Sequence, residues 1–200
     1  SLFLAVSSAT ICSVIGTAVV IAVRKSKGFL KKTLEGISLL PEMLPSIVLV
    51  IGLMLFWNAI YKVIPLYNTI GIMVLAYVVL YLPYTVQYVT SAFTQINESL
   101  LEAGRTFGGT PAYVFCRVTL PMISRGIFAG WMMIFIIAFR ELVTASLIAP
   151  PNTLVVSTYI NREFEQGSVS LGMAMAVLCV LITTTALLVF NRFVGKRKGA

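Results

Sequence analysis

Long apolar stretches alternate with short polar segments along most of the chain. Five of these stretches are long enough to cross a membrane, namely residues 2–23, 47–64, 70–90, 127–149 and 169–194. A hydrocarbon core about 30 Å thick requires roughly 20 apolar residues in a helix. Helices satisfy their backbone polar groups within one segment, and the alternating pattern of membrane β-strands is absent. The pattern therefore predicts an all-α polytopic membrane protein with five transmembrane helices.

The composition supports a membrane protein and excludes several kinds of active site. Hydrophobic residues make up 58% of the chain and charged residues 11%, whereas about 25% of residues are charged in soluble domains. The chain has no His and no Asp, which excludes Ser-His-Asp triads and HExxH zinc sites, and it has no GxxxxGK[ST] phosphate loop. Cys12, Cys116 and Cys179 lack the spacing of a metal or redox motif. We therefore expect no catalytic residue, no metal site and no cofactor bound by this chain.

The basic residues predict the orientation of the chain in the membrane. Most of its 15 Lys and Arg residues follow the first, third and fifth apolar stretches or lie in the last residues of the fifth. These residues are Arg24, Lys25, Lys27, Lys31, Lys32, Arg105, Arg117, Arg125, Arg192, Lys196, Arg197 and Lys198. Because Lys and Arg collect in cytoplasmic loops, we expect a multi-pass protein of the inner or plasma membrane whose C-terminus is cytoplasmic. Nucleic acid is not an expected partner, since the basic residues alternate with membrane spans and lack interleaved aromatic residues.

The polar segment between the third and fourth apolar stretches, the loop 97–121, has well-defined helix boundaries. Asn97 or Ser99 provides the N-cap of a first helix of about ten residues. Gly108 ends that helix, because glycine adopts the left-handed conformation at low cost. Thr110 then caps a second helix that has proline at its first position. The segment is therefore predicted to be a cytoplasmic helix–glycine–helix loop.

The spacing within this loop resembles a known family motif. Six residues match the Glu-Ala-Ala-x3-Gly-x9-Ile-x-Leu-Pro loop of the membrane subunits of binding-protein-dependent ABC importers. They are Glu102, Ala103, Gly108, Val118, Leu120 and Pro121. Gly104 stands where the family has its second Ala, and we expect it to soften the first helix. Residues 39–53 and 81–89 also resemble proline-containing segments of this family, so the similarity covers nearly the whole chain.

The resemblance implies that the loop 97–121 docks onto a cytoplasmic ABC ATPase dimer and couples ATP hydrolysis to movement of the membrane helices. ATP and Mg²⁺ then belong to the ATPase, and this chain is not an enzyme. The expected coupling residues are Leu100, Leu101, Glu102, Ala103, Arg105, Phe107, Gly108, Tyr113, Leu120 and Pro121. The other implied partners are a periplasmic or lipid-anchored substrate-binding protein, a second permease half or copy, and membrane lipid. The chain itself is expected to be a fragment that lacks one N-terminal span.

Polar residues within the apolar stretches are candidates for a translocation path. Arg140 and Glu141 are adjacent within the fourth stretch, where each charge costs about 2.5 to 3.5 kcal/mol on insertion scales. Four tyrosines share one face of the third stretch, and two of them, Tyr84 and Tyr88, are placed nearest the cytoplasmic gate. The candidate path residues are Arg140, Glu141, Tyr84 and Tyr88. The alternatives are that the two charges pair with neighbouring helices and that the tyrosines only pack.

The polar segment 150–167 is predicted to lie on the periplasmic side. Its charged residues, Arg162, Glu163 and Glu165, are candidates for docking the substrate-binding protein that the resemblance implies. The alternative is an ordinary solvated surface. We expect the three side chains to face the periplasm.

Residues 139–160, FRELVTASLIAPPNTLVVSTYI, are most similar to the ferric-iron branch of these permeases. The resemblance therefore predicts an ATP-driven importer of ferric iron that works by alternating access. The same architecture serves polyamine, thiamine, phosphonate, sulfate and molybdate importers, which remain alternatives. An ATP-independent channel or secondary transporter and a purely structural membrane anchor are further alternatives.

Overall fold

The computed structural model describes residues 1–195, which form ten α-helices and one π-helical turn and contain no strand. The helices are α1 (Leu2–Lys25), α2 (Gly28–Met43), α3 (Ser46–Ala59), α4 (Ile70–Thr94), α5 (Glu98–Thr106), α6 (Pro111–Val114), the π-helical turn (Phe115–Thr119), α7 (Leu120–Phe139), α8 (Val143–Ile148), α9 (Val156–Glu165) and α10 (Val169–Gly195). The predicted all-helical membrane architecture is confirmed. Lys196, Arg197 and Lys198, which contributed to the predicted orientation, lie outside the described residues.

Four helical segments of the described chain are long and apolar enough to cross a membrane: α1, α4, the run Pro111–Phe139, and α10 up to Phe190. A fifth candidate is the pair α2 and α3, which meet at an angle of 107°. The transmembrane helix predicted at 47–64 is shorter than expected, because α3 has 14 residues and is followed by turns. The stretch expected at 127–149 is not one continuous helix, because α7 ends at Phe139 and α8 begins at Val143.

Helices α1, α4 and α7 pack against one another and form the centre of the bundle. Glycines allow the close approach: a Cβ atom at Gly16 of α1 would lie 2.7 Å from Cγ2 of Thr85, and one at Gly126 of α7 would lie 2.8 Å from the carbonyl oxygen of Tyr88. Small residues at such contacts are typical of membrane helices, since association there depends on close packing. The Trp131 indole also donates a hydrogen bond of 3.1 Å to Thr10, which links α7 to α1.

The loop 97–121 and helix α9 lie at opposite ends of this bundle. At one end the Arg24 guanidinium, in the last turn of α1, lies 4.9 Å above the ring of Phe93 near the end of α4. The chain continues from there into the loop 97–121. At the other end the backbone N–H of Val156, the first residue of α9, donates a 2.8 Å hydrogen bond to the Ser1 hydroxyl. The two segments predicted to meet different partners therefore face different sides.

Candidate functional site

The loop 97–121 has the helix–glycine–helix geometry expected from its caps. The Asn97 side chain accepts a 3.2 Å hydrogen bond from the backbone N–H of Ser99, so Asn97 caps α5. Gly108 follows α5 with a φ of 82°, which is strained for any other residue type. Thr110 accepts a 3.3 Å hydrogen bond from the N–H of Tyr113, and proline occupies the first turn of α6. A side chain therefore caps the first turn of each helix in the loop.

Gly104 has a packing role between the two helices of the loop. A Cβ atom at this position would lie 3.2 Å from Cγ2 of Val114, a side chain that is 4% exposed. Gly109, which follows α5, allows a still closer contact: a Cβ atom there would lie 2.6 Å from the carbonyl oxygen of Gly104. Gly104 therefore allows α5 to pack closely against α6, and α5 continues through it to Thr106.

The predicted coupling residues divide between an exposed surface and an inner anchor. Phe107 is 91% exposed and Tyr113 is 60% exposed, so two aromatic side chains face outward. The other exposed coupling residues are Leu100, Glu102, Ala103, Arg105, Gly108, Leu120 and Pro121. Leu101 differs from them, because it packs against the buried cluster that includes Phe93. We name Leu100, Glu102, Phe107 and Tyr113 the exposed coupling surface; Leu101 anchors it to the bundle.

Glu141 lies in the non-helical segment between α7 and α8 and is the centre of a hydrogen-bond network. The Tyr81 hydroxyl donates a 2.5 Å hydrogen bond to Oε2 of Glu141. Oε1 of Glu141 accepts from the backbone N–H of Thr144 at 3.0 Å and from its hydroxyl at 3.2 Å. The Ser157 hydroxyl donates to the backbone carbonyl of Glu141. Tyr81, Glu141, Thr144 and Ser157 are called the Glu141 network below.

This network satisfies polar groups that a broken helix exposes. Within a membrane, non-helical backbone is tolerated only where it is buried in protein or lines a water-filled cavity. The carboxylate of Glu141 accepts from the N–H of Thr144 in the first turn of α8, whose N-cap residue is Leu142. The Ser157 hydroxyl on α9 donates to the freed carbonyl group of Glu141. Tyr81 lies 11 residues after the start of α4, which corresponds to about 17 Å along the helix. The break therefore lies level with the middle of α4.

The other predicted path residues form none of the hydrogen bonds of the Glu141 network, and two of them are exposed. Arg140 is exposed and forms no ion pair with any described residue. Tyr84 is half-buried and Tyr88 is 39% exposed, whereas Tyr77 and Tyr81 on the same helix are buried. Gln87 is also exposed and donates a hydrogen bond to Glu42 at the end of α2. Polar groups exposed on a membrane helix face water or another protein chain, because lipid contact is costly for them.

Only part of the predicted docking surface on α9 is exposed. Glu163 is 7% exposed and lies 3.5 Å from the Arg162 guanidinium, so its expected exposure is wrong: the helix turns this side chain toward the bundle. Glu165 is exposed and accepts a 2.8 Å hydrogen bond from Asn161. Arg162 also lies over the ring of Tyr159. Arg162 and Glu165 thus form the accessible part of this surface.

Three residues of the Glu141 network were not predicted as site residues: Tyr81, Thr144 and Ser157. A partial signal was present, because a carboxylate within an apolar stretch requires hydrogen-bond donors. Tyr81 belongs to the tyrosine face of α4, and Thr144 is three residues after Glu141. Ser157 had no local signal, since its contact depends on how α9 folds back.

The sequence matches one protein family over most of its length. Residues 14–199 match the family described as binding-protein-dependent transport system inner membrane component. The Fe(3+)-transport system permease protein FbpB 2 of Haemophilus influenzae is 24% identical over 148 residues, which are 74% of this chain and 29% of that protein. The putrescine transport system permease protein PotI of Escherichia coli is 27% identical over 170 residues, which are 84% of this chain and 60% of that protein. The chain therefore spans less than two thirds of the length of these two relatives.

The fold is also found in a solved structure. The structure of inward-facing conformations of the MetNI methionine ABC transporter superposes with a TM-score of 0.74 and 17% sequence identity, covering 98% of this chain and 93% of that chain. At this identity the similarity establishes a shared helical fold.

Proposed function

The chain belongs to the family of binding-protein-dependent transport system inner membrane components, and we propose that it is the permease subunit of an importer driven by a separate ATPase. The observation that carries this proposal is the loop 97–121. It combines the family spacing with two capped helices and exposed aromatic side chains at Phe107 and Tyr113. An isolated chain gains nothing from exposing these rings, and aromatic residues are enriched in protein interfaces.

The exposed coupling surface fits the role of a rigid docking element. Phe107 and Tyr113 would insert between apolar side chains of the ATPase, while Glu102 and Arg105 would form ion pairs at the rim. Neither charged residue forms an ion pair with a described residue, so both are available to a partner. Leu101 connects this surface to the buried cluster at the end of α4, which provides a path for movement from the ATPase into the bundle.

The Glu141 network fits a gate in the translocation path. Discontinuous membrane helices often form the sites of transported substrates and ions. Here the break between α7 and α8 is held by contacts from α4 and α9, so a shift of either helix would change it. Alternating access would then open and close this region, with Tyr84 and Tyr88 on α4 and Arg140 beside the break.

The remaining partners follow from the same arrangement. Helix α10 is apolar on all sides, and the most apolar part of its candidate span is not buried in the single chain, which suits contact with lipid and with a second permease half or copy. Arg162 and Glu165 lie at the end of the bundle opposite the loop 97–121. They would meet the periplasmic or lipid-anchored substrate-binding protein, and ATP and Mg²⁺ would be bound by the ATPase.

We infer that ferric iron, delivered by that binding protein, is the substrate. The similarity of residues 139–160 to ferric-iron permeases and the match to FbpB 2 support this inference. A polyamine is the second candidate, because PotI matches a larger share of the chain at slightly higher identity. Both substrates are cations, and a carboxylate at the gate suits either of them.

The experiment that tests the function is purification of the full protein from its native membrane in mild detergent. We expect a cytoplasmic ATPase and an extracytoplasmic binding protein to co-purify, and the ligand of that binding protein identifies the substrate. Reconstitution into vesicles should then show uptake that requires ATP. The break at Glu141 would equally suit an ATP-independent transporter, and uptake by this chain without any ATPase would establish that alternative.

A further inference from the structure

A cavity of about 490 Å³ lies behind the loop 97–121, where α1 and α4 end. Its walls come from the last turn of α1, the end of α4, and the helices α5 and α6 with the following π-helical turn. A cavity of this size matches those that bind small ligands. The exposed coupling surface lies on the outside of the same loop, so the cavity is a separate feature. We name it the basic cavity.

Three cationic side chains line the basic cavity: Arg24, Lys25 and Arg105. Its lining contains no acidic residue, and no carboxylate of the described residues lies within ion-pair distance of the three cations. Arg24 is held in place over the ring of Phe93. Three cations that converge from two elements without a carboxylate repel one another, and an anion between them would remove that repulsion.

The rest of the cavity wall is partly apolar and partly polar, which suits a ligand that has both kinds of group. Ile21, Leu101 and Val114 provide apolar surface, and Thr119, which is 6% exposed, adds a hydroxyl group. The cavity also lies at the end of two membrane-spanning helices, which is the depth of phospholipid headgroups. Basic pockets between membrane helices at this level bind the headgroups of anionic lipids.

We propose that the basic cavity binds a phosphate group, which an anionic phospholipid headgroup supplies from the membrane. Arg24 binds the phosphate oxygens, since a guanidinium group suits bidentate contact with phosphate. Lys25 and Arg105 add positive charge around it, and the Arg105 guanidinium stays available to pair with the ATPase at the rim of the loop. The apolar wall accommodates the adjoining glycerol and the start of the acyl chains. An acidic segment of a partner protein is the competing occupant.

The test uses the purified full chain and native mass spectrometry with two lipids that share acyl chains, phosphatidylglycerol and diacylglycerol. We expect the wild type to retain one phosphatidylglycerol per chain and no diacylglycerol. The double variant R24Q/K25Q should lose retention roughly 30-fold, because each cation near an anionic headgroup contributes a factor of about five. The control variant K27Q/K32Q removes the same charge from the following segment, outside the cavity lining, and should retain lipid like the wild type.

Each remaining outcome has a definite meaning. Equal loss in both double variants, or equal retention of the two lipids by the wild type, would overturn the proposal. A mass adduct with sn-glycerol 3-phosphate that requires Arg24 and Lys25, without lipid retention, assigns the phosphate to a soluble source. Unchanged lipid retention with loss of the co-purifying ATPase in R24Q/K25Q would show that a protein acid occupies the cavity. The charge-preserving variant R24K/K25R tests folding, and it should retain lipid if the variants are intact.

Discussion

Tyr81 and Glu141 form a 2.5 Å hydrogen bond although 60 residues separate them in the chain. This contact joins the middle of α4 to the point where α7 and α8 are interrupted. A second hydrogen bond, from Ser157 to the carbonyl group of Glu141, joins the same point to α9. The interruption is therefore in contact with α4, which leads toward the loop 97–121, and with α9, which begins at the opposite end of the bundle.

We predict that Glu141→Gln lowers uptake at least tenfold while the protein inserts and folds. The amide is nearly the same size but loses the charge that would face the cationic substrate proposed above, and it retains only one acceptor oxygen for Tyr81 and Thr144. The measurement is ATP-dependent uptake by reconstituted vesicles at matched protein levels. Wild-type uptake in Glu141→Gln would contradict the assignment of Glu141 to the gate.

Tyr81→Phe tests the other partner of this hydrogen bond. Loss of a hydrogen bond to a charged group costs about 1.5 to 3 kcal/mol, so we expect a lower midpoint of thermal unfolding in detergent. Tyr77→Phe is the matched control, because Tyr77 is buried one helical turn away and no hydrogen bond to Glu141 involves its hydroxyl. Equal destabilisation by the two variants would argue against a special role for the Tyr81 contact.

Gly108 and Gly167 provide a matched pair for testing the coupling role of the loop 97–121. Both have a φ of 82°, and a Cβ atom would meet nothing within 4 Å at either position. Alanine at each site should therefore cost a similar amount, about 1 to 2 kcal/mol. We predict that Gly108→Ala weakens co-purification of the ATPase and that Gly167→Ala does not.

Stronger changes in the same loop should abolish coupling. Proline at 108 requires a φ near −65° and cannot adopt the observed conformation, so Gly108→Pro should eliminate uptake and ATPase association. Glu102→Lys reverses a charge on the exposed coupling surface and should do the same without changing the fold. Both variants are expected to insert normally, and normal ATPase co-purification with both of them would disprove the coupling role.

The local structure of the loop 97–121 was predictable from sequence because caps and left-handed glycines act over a few residues. Asn97 and Thr110 are the N-caps of α5 and α6, and Gly108 adopts a positive φ after α5, as their residue types predict. The Glu141 network was not predictable in this way, since its contacts depend on the packing of α4 and α9. Burial of Glu163 was also missed, because it depends on how α9 packs against α10, which the local sequence does not determine.

Of the docking surface predicted on α9, only Arg162 and Glu165 are exposed. We predict that Glu165→Lys weakens association with the co-purifying binding protein several-fold at low salt and that the effect fades at high salt, because rim charges act mainly through screened long-range attraction. Glu163→Gln should change this association less than twofold, since the side chain is buried. Surface plasmon resonance at two salt concentrations measures both. Identical behaviour of the two variants would exclude Glu165 from docking.

Gly104 stands where the family motif has Ala, and its close contact with Val114 gives a reason for glycine at this position. Alanine at position 104 would favour the α-helix by up to about 1 kcal/mol relative to glycine. Its Cβ would also press against Val114, at 3.2 Å from Cγ2, and Val114 is too buried to turn away freely. For Gly104→Ala in the wild-type background, the gain in helix propensity and the clash with Val114 oppose each other. Shortening Val114 to Ala removes only the clash.

We therefore predict a favourable interaction between the substitutions Gly104→Ala and Val114→Ala. Val114→Ala alone should destabilise the protein, because it removes buried methyl groups. Gly104→Ala should raise the unfolding midpoint more in the Val114→Ala background than in the wild type. A double-mutant cycle on thermal unfolding in detergent measures this interaction, which should amount to at least 0.5 kcal/mol for residues in contact. Additive effects would mean that Gly104 does not set the distance between α5 and α6.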